Sequence, residues 1–249
     1  VLSSATPSLE TLNNVRAGKV RRVSLERRAE NAVLPAYQVI DLRGRKTPGA
    51  VSEPLEKAIT GVLEQGRQAL LFLNRRGYSP VLMCHACGWI STCARCEAPL
   101  TYHKRPPALL CHHCGARALP PGACPACAAA DLVQIGHGTE RLTETLAERF
   151  PGARILRIDR DTTRRKGAME GFMQLINSGG ADILVGTQML AKGHHFPRVT
   201  LVGILDADRG LYSADFRAGE RMAQLITQVS GRAGRASDPG VVMIQTHFP

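Results

Sequence analysis

Ser52-Glu53-Pro54-Leu55-Glu56-Lys57-Ala58-Ile59-Thr60-Gly61-Val62-Leu63-Glu64-Gln65-Gly66-Arg67-Gln68-Ala69-Leu70-Leu71-Phe72-Leu73 changes its hydrophobic period once, from that of a helix to that of a buried strand. Ser52 is a candidate N-cap ahead of Glu53-Pro54. Leu55, Ile59, Val62 and Leu63 fall on one helical face, and Gly66 stops the helix. Ala69–Leu73 is apolar at every position, as a strand covered on both faces must be. The alternation continues downstream. Thr139 is a candidate cap for a helix carrying Leu142, Leu146 and Phe150, ended by Pro151-Gly152. Strand-sized runs stand at Arg154–Ile158, Asp182–Val185, Val199–Leu205 and Val241–Gln245, with helical segments at Lys166–Asn177 and Arg217–Val229. Covered strands alternating with helices predict a parallel sheet of the α/β class. Residues 16–47 are basic and lack long apolar runs apart from Tyr37–Leu42, a composition that suits an interdomain linker.

The chain has 249 residues and a net charge of +11, from 32 Lys+Arg against 21 Asp+Glu. Its 44% hydrophobic content is enough for a core, which excludes a disordered basic tail. No apolar run approaches the ~18 residues of a membrane span. The first residues, Val1-Leu2-Ser3-Ser4-Ala5-Thr6, hold no initiator Met, charged leader or apolar signal region, so the chain reads as a piece of something longer. The positive excess favours a polyanionic partner, nucleic acid before a membrane surface. It is distributed unevenly: +5 in residues 1–47, +1 in 48–83, +3 in 84–127 and +2 in 128–249.

All eight cysteines lie between Cys84 and Cys127, a composition shift that marks an inserted module. They form four C-x-x-C pairs: Cys84/Cys87, Cys93/Cys96, Cys111/Cys114 and Cys124/Cys127. Two thiolates separated by two residues on a tight turn supply half of a tetrahedral zinc site, so four pairs predict two Zn²⁺. Gly88, Gly115 and Gly122, with Pro99, Pro120, Pro121 and Pro125, supply the turn chemistry. Disulfides suit a secreted chain, a redox site needs one pair only, and the spacing fits neither common ferredoxin run. His85, His112 and His113 sit inside their pairs, but the cysteines already fill both tetrahedra. Spacing alone does not choose between sequential and nested pairing. With eight thiolates on two Zn²⁺, the net charge falls to about +7 and the window 84–127 to about −1. The excess then lies in residues 1–47.

In an open α/β sheet, ligands collect at loops beyond the carboxyl ends of strands. Three such loops carry chemistry. Gly186-Thr187-Gln188-Met189-Leu190-Ala191-Lys192-Gly193-His194-His195-Phe196-Pro197 offers glycines for close approach and donors from Thr187, Gln188 and Lys192. Asp206-Ala207-Asp208-Arg209-Gly210 has cation-binding residue types but reads first as a solvated turn. Gln228-Val229-Ser230-Gly231-Arg232-Ala233-Gly234-Arg235 sets two guanidinium forks three residues apart, each after a glycine. That suits phosphate oxygens, and equally an exposed basic helix end.

Together, the last loop and the Gly-Thr-Gln…Lys-Gly loop resemble motifs VI and V of superfamily 2 helicases. Ser4-Ala5-Thr6-Pro7 resembles their motif III. The cysteine module between Leu71–Tyr78 and Gly138–Arg141 resembles that of the zinc-bearing replication-restart branch of this superfamily. So do Asp159-Arg160-Asp161-Thr162-Thr163, Gly186–Pro197 and Asp215-Phe216-Arg217. The resemblance covers essentially the whole chain. It implies an ATP-driven, 3′-to-5′ DNA helicase that recognises stalled, branched forks and single strands, with single-strand-binding protein and primosome proteins as partners in the bacterial cytoplasm and nucleoid. Residues 1–48 would end the first RecA-like lobe and its linker. Residues 49–249 would be the second RecA-like lobe, interrupted by the two-zinc module at 84–127. The implied pairing is nested: Cys84, Cys87, Cys124 and Cys127 in one site, Cys93, Cys96, Cys111 and Cys114 in the other. Arg232 and Arg235 would be arginine fingers, with Gln228 assisting at the nucleotide. Gly186, Thr187, Lys192, Gly193 and Gly231 would line or couple the ATP cleft.

The sequence holds no G-x-x-x-x-G-K-[ST] loop and no Asp-Glu box, the parts that hold ATP and Mg²⁺ in this superfamily. The expectation is an ATPase as a complete protein and an inactive fragment alone. A zinc-ribbon nucleic-acid or protein-binding module without catalysis, and a duplex translocase that does not unwind, are the alternatives.

Overall fold

The computed structural model describes residues 3–25, 34–45, 47, 50–73, 81–104, 106–111, 113–135, 139–159, 162–163, 165, 167–191, 196–205, 207–208, 216–234 and 240–249. In chain order the first elements are α1 (Leu9–Arg16), β1 (Ala36–Asp41), α2 (Glu53–Glu64) and β2 (Gln68–Leu73). Five short strands follow: β3 (Val81–Cys84), β4 (Thr101–Lys104), β5 (Pro107–Leu110), β6 (Arg117–Ala118) and β7 (Leu132–Ile135). Then come α3 (Thr139–Arg149), β8 (Ile155–Ile158), α4 (Ala168–Asn177), β9 (Ile183–Gly186) and α5 (Gln188–Ala191). The chain closes with β10 (Val199–Leu205), α6 (Ala218–Ser230) and β11 (Val241–Thr246).

Six strands form one sheet in the order β1-β11-β10-β2-β9-β8, every neighbouring pair parallel, as the alternation of strands and helices predicts. All six residues of β2 are buried, because both faces of the sheet are covered. Leu70 and Phe72 pack with Ile176 of α4, Leu190 of α5 and Val229 of α6. Ala69, Leu71 and Leu73 pack with Leu55 and Ile59 of α2 and Leu142 and Leu146 of α3. The period-2 alternation of a strand thus builds two cores on opposite faces of one sheet.

The two helix starts read from sequence lie where expected but are held differently. Ser52 is the N-cap of α2, yet its hydroxyl makes no capping bond. Gln245 instead anchors the segment that enters the helix: its Oε1 accepts from Ser52 N at 2.8 Å and its Nε2 donates to Ala50 O at 2.7 Å. Thr139 is the first residue of α3, and its Oγ1 donates to Asp159 Oδ2 at 2.7 Å. Pro54 and the acidic Glu53 and Glu56 in the first turn of α2 complete a favourable helix start.

One boundary shifts. The strand β1 falls inside residues 1–48, but it pairs with β11 from Ala36↔Val241 to Asp41↔Thr246, so the sheet extends N-terminal to residue 48. The helix α1 buries no residue, and hydrogen bonds hold it to α6: Leu9 N donates to Glu220 Oε1 at 2.9 Å, and Arg217 pairs with Glu10. No helix among the described residues is long and apolar enough to cross a membrane.

The cysteine module interrupts the sheet after β2 and forms its own antiparallel sheet, ordered β6-β5-β4-β3-β7. This sheet runs from Val81 to Ile135, wider than the cysteine window 84–127. Pairing of β3 with β7, from Val81↔Ile135 to Cys84↔Leu132, brings the two ends of the insertion side by side. A small separate core of Leu82, Cys93, Leu100, Leu109 and Cys111 fills it.

Candidate zinc centres and parallel-sheet site

Each C-x-x-C pair closes the same turn. The amide five residues into each pair donates back to the first cysteine's carbonyl: Gly88 to Cys84, Glu97 to Cys93, Gly115 to Cys111 and Ala128 to Cys124, all at 2.8–2.9 Å. All four of those residues have positive φ, between 58° and 79°. The turn is needed because it points both sulfurs of a pair to one side, while short N–H to S contacts steady them. Arg95 N lies 3.4 Å from Cys93 Sγ, Cys114 N 3.5 Å from Cys111 Sγ and Ala126 N 3.4 Å from Cys124 Sγ.

The pairs meet in nested order. Cys84, Cys87, Cys124 and Cys127 form one cluster and Cys93, Cys96, Cys111 and Cys114 the other, with all four sulfurs of each within 4.8 Å of one another. The cross-pair distances are 3.6 Å for Cys84–Cys127, 3.7 Å for Cys87–Cys124, and 3.5 Å for both Cys93–Cys114 and Cys96–Cys111. A disulfide requires about 2.05 Å. A zinc tetrahedron with Zn–S near 2.3 Å has edges of about 3.8 Å, so the donor set fits one zinc in each cluster. The surroundings favour thiolate at some of the sulfurs and oppose it at others: against the Ala98 amide, burial and the Cys111 sulfur push the Cys96 thiol up to about 12. The Cys114 amide, ahead of an opposing burial effect, draws the Cys111 thiol down to about 6. Burial pushes Cys124 up, but the Cys127 and Ala126 amides prevail and bring it to about 7.

In the parallel-sheet lobe, Gly186 ends β9 in the narrow space between β8 and α5. A Cβ there would sit 2.6 Å from the Ile158 carbonyl and 2.4 Å from Leu190 Cδ1, so close packing requires glycine at this point. Thr187 follows, and its carbonyl accepts from Leu190 N at 3.0 Å to begin α5, a helix that no sequence signal announced. Lys192 and Gly193 lie outside the described residues. At the end of α6, Gly231 is the C-cap, with ordinary helical φ and space for a Cβ. The next residue, Arg232, is buried, and its amide continues the turn to Val229 O at 2.9 Å. Arg235 lies outside the described residues. Gln228 Nε2 donates to Thr6 Oγ1 at 3.0 Å, so Ser4–Pro7 and Gln228–Arg232 meet although 222 positions separate the bonded pair. Thr6 lies in the Ser4–Pro7 segment that resembles motif III, but its contact with Gln228 has no local signal in the sequence.

The remaining candidates are structural. Neither His85 nor the exposed His113 belongs to a sulfur cluster, and His112 lies outside the described residues. Asp208, from the loop read as a solvated turn, is buried and accepts from the His247 amide at 2.7 Å. Asp206, Arg209 and Gly210 lie outside the described residues. Asp159 is buried and accepts from Thr162 N at 3.0 Å besides Thr139, forming a tight turn after β8.

Comparison with known proteins finds matches to both the cysteine module and the parallel-sheet lobe. Residues 93–118 match the model described as the PriA DNA helicase Cys-rich region domain, and residues 132–237 match the helicase conserved C-terminal domain. The replication restart protein PriA of Haemophilus influenzae is 52% identical over 249 residues, covering 100% of this chain and 34% of that protein. That of Bacillus subtilis is 45% identical over 252 residues, covering 100% of this chain and 31% of that protein. The chain thus spans about a third of the length of the curated relatives it matches.

Proposed function

We propose that this chain, which matches the C-terminal part of the PriA replication restart proteins, carries the second RecA-like lobe and the zinc module of an ATP-driven DNA helicase. The complete protein unwinds DNA 3′ to 5′, acts at stalled or branched forks and helps reload the replication machinery, with single-strand-binding protein and primosome proteins as partners in the cytoplasm. The observation that carries the motor reading is the Gln228–Thr6 hydrogen bond, because it joins the two segments through which a nucleotide state would reach a DNA strand.

Charge builds on the γ-phosphate oxygens as they leave, and donors fixed in advance lower that barrier most. Arg232 follows the helix end after Gly231, and its burial restricts its guanidinium to few orientations. Arg235 repeats the Gly-Arg unit three residues later. Gln228 senses the same cleft and passes its position to Ser4–Pro7. Thr187, Lys192 and Gly193 link that cleft to the DNA strand from the end of β9. The phosphate loop and acidic box are absent from these 249 residues, so the chain alone holds no complete ATP and Mg²⁺ site and does not turn over. Zinc, when bound, cross-links the four cysteine turns into a rigid module.

In the complete protein, Arg235→Ala is expected to leave DNA affinity within about twofold and to lower DNA-stimulated ATP hydrolysis by about 10³-fold. Unchanged turnover would sink the arginine-finger assignment. Strand displacement on forks with a 3′ or a 5′ single-stranded arm tests the direction. Hydrolysis and translocation without displacement of either strand would assign a duplex translocase instead.

A further inference from the structure

Two features of the sequence are not used by the motor or by the metal sites: the histidine inside the first cysteine pair, and the acidic loop after β10. His247 joins them in the structure. Asp208 is 5% exposed and His247, just past β11, is 8% exposed. Asp208 Oδ2 accepts from the His247 amide at 2.7 Å and lies 3.2 Å from His247 Nδ1, while Oδ1 accepts from Thr246 Oγ1. On the other side of the ring, His247 Nε2 lies 3.4 Å from Nδ1 of His85, and the two rings meet edge to face at a centroid distance of 5.6 Å. A carboxylate only accepts, so the contact with Asp208 places the proton of a neutral His247 on Nδ1. Its Nε2 is then an acceptor, and His85 Nδ1 must donate. The order of donors from His85 through His247 to Asp208 is fixed from the lobe side.

We propose that Asp208 and His247 form a docking joint that sets the angle of the first zinc turn, Cys84–Gly88, on the C-terminal rim of the parallel sheet. Two further contacts lie around the same point. Gly44 N, one turn past β1, donates to His85 O at 3.3 Å. Gly88 lies against His247, where an added Cβ would be 3.6 Å from the His247 carbonyl and 3.9 Å from Phe248 Cζ. The joint therefore ties together the loop after β10, the end of β11 and the module. His247 acts through His85, so it is a positioning residue. Within the helicase reading, on which this consequence alone rests, a stiff joint is what lets movement of the motor lobe carry the zinc module with it.

The test uses the complete protein loaded with two zincs per chain and follows amide hydrogen exchange. His247→Ala is expected to speed exchange of the Gly44 amide, whose acceptor belongs to His85, by about tenfold or more, with zinc content unchanged. Asp208→Asn, which keeps the shape but removes one acceptor oxygen, should do the same. His85→Ala leaves every bond of Asp208 in place and carries the test if His247→Ala does not fold. Combining His85→Ala with His247→Ala should add little to the larger single effect. Unchanged Gly44 exchange in His85→Ala with both zincs retained, or fully additive single effects, would overturn the joint. The joint also predicts that His247→Ala slows strand displacement at least about tenfold while DNA-stimulated ATP hydrolysis stays within about twofold. Equal loss of both activities would overturn the coupling role. Altered exchange in a protein that never unwinds DNA would leave the joint standing and reject the helicase reading instead.

Discussion

At the fifth position of each zinc turn the backbone is left-handed, and two of the four positions are not glycine. Gly88 and Gly115 adopt this φ without a Cβ penalty, whereas Glu97 at 59° and Ala128 at 58° do not. The cysteine spacing announces the turns, but the strained backbone at Glu97 and Ala128 has no signature in residue type. Gly115 gives the cleanest measure of this strain, because a Cβ there would meet nothing within 4 Å and only the backbone would pay. Gly115→Ala is expected to lower the stability of the zinc-loaded module by about 1 kcal/mol, and Ala128→Gly to raise it by somewhat less. Thermal unfolding with zinc in excess reads both. A Gly115→Ala variant as stable as the parent would mean that this turn is not left-handed in solution.

Between elements, the contacts that decide geometry come from far along the chain. Arg154, just before β8, grips Asp182, just before β9: its amide and Nε reach Oδ2 at 2.8 and 2.9 Å, and Nη2 reaches Oδ1 at 2.7 Å. The Arg154 side-chain bonds, ahead of its amide and charge, hold the Asp182 carboxyl below its ordinary value of 3.8. A folded pKa below the unfolded one stabilises the fold above the unfolded value, and that contribution is lost as pH falls through the folded value. Asp182→Asn should therefore cost at most about 1 kcal/mol near pH 7, since Arg154 is largely exposed. The difference from the parent should shrink below pH 3.8, and denaturant titrations across that range would show it. A difference that is constant with pH would exclude the ion pair as its source. The same distance in sequence limits what can be read without coordinates. Strand and helix positions in the lobe follow from apolar runs, which are local. The bonds at Ser52 and Thr139 do not, because Gln245 and Asp159 supply the partners. The strand β1 escapes because Tyr37 and Val39 remain exposed on the sheet edge, and α1 because it buries nothing.

Across the molecule, the cores are separate. Among the described residues, the two clusters flanking the parallel sheet draw only on positions outside 81–135, and the module's cluster draws only on positions inside it. The module's core also includes two of the metal ligands, Cys93 and Cys111, so its packing and its metal binding are one event. Five strands of two to four residues bury too little to stand without that cross-link. The parallel sheet, by contrast, packs β2 against residues outside the insertion, and Asp208 bonds to Thr246 and His247 within the lobe. Chelation of both zincs is thus expected to unprotect the amides of 81–135 while those of β2, β9 and β10 stay protected, so that the two parts unfold in separate transitions. Metal analysis should return two zincs per chain before chelation. Loss of protection throughout the sheet on chelation would mean that the module is a foundation of the lobe. Protection that persists in 81–135 would mean that the cysteine clusters are not what holds the insertion together.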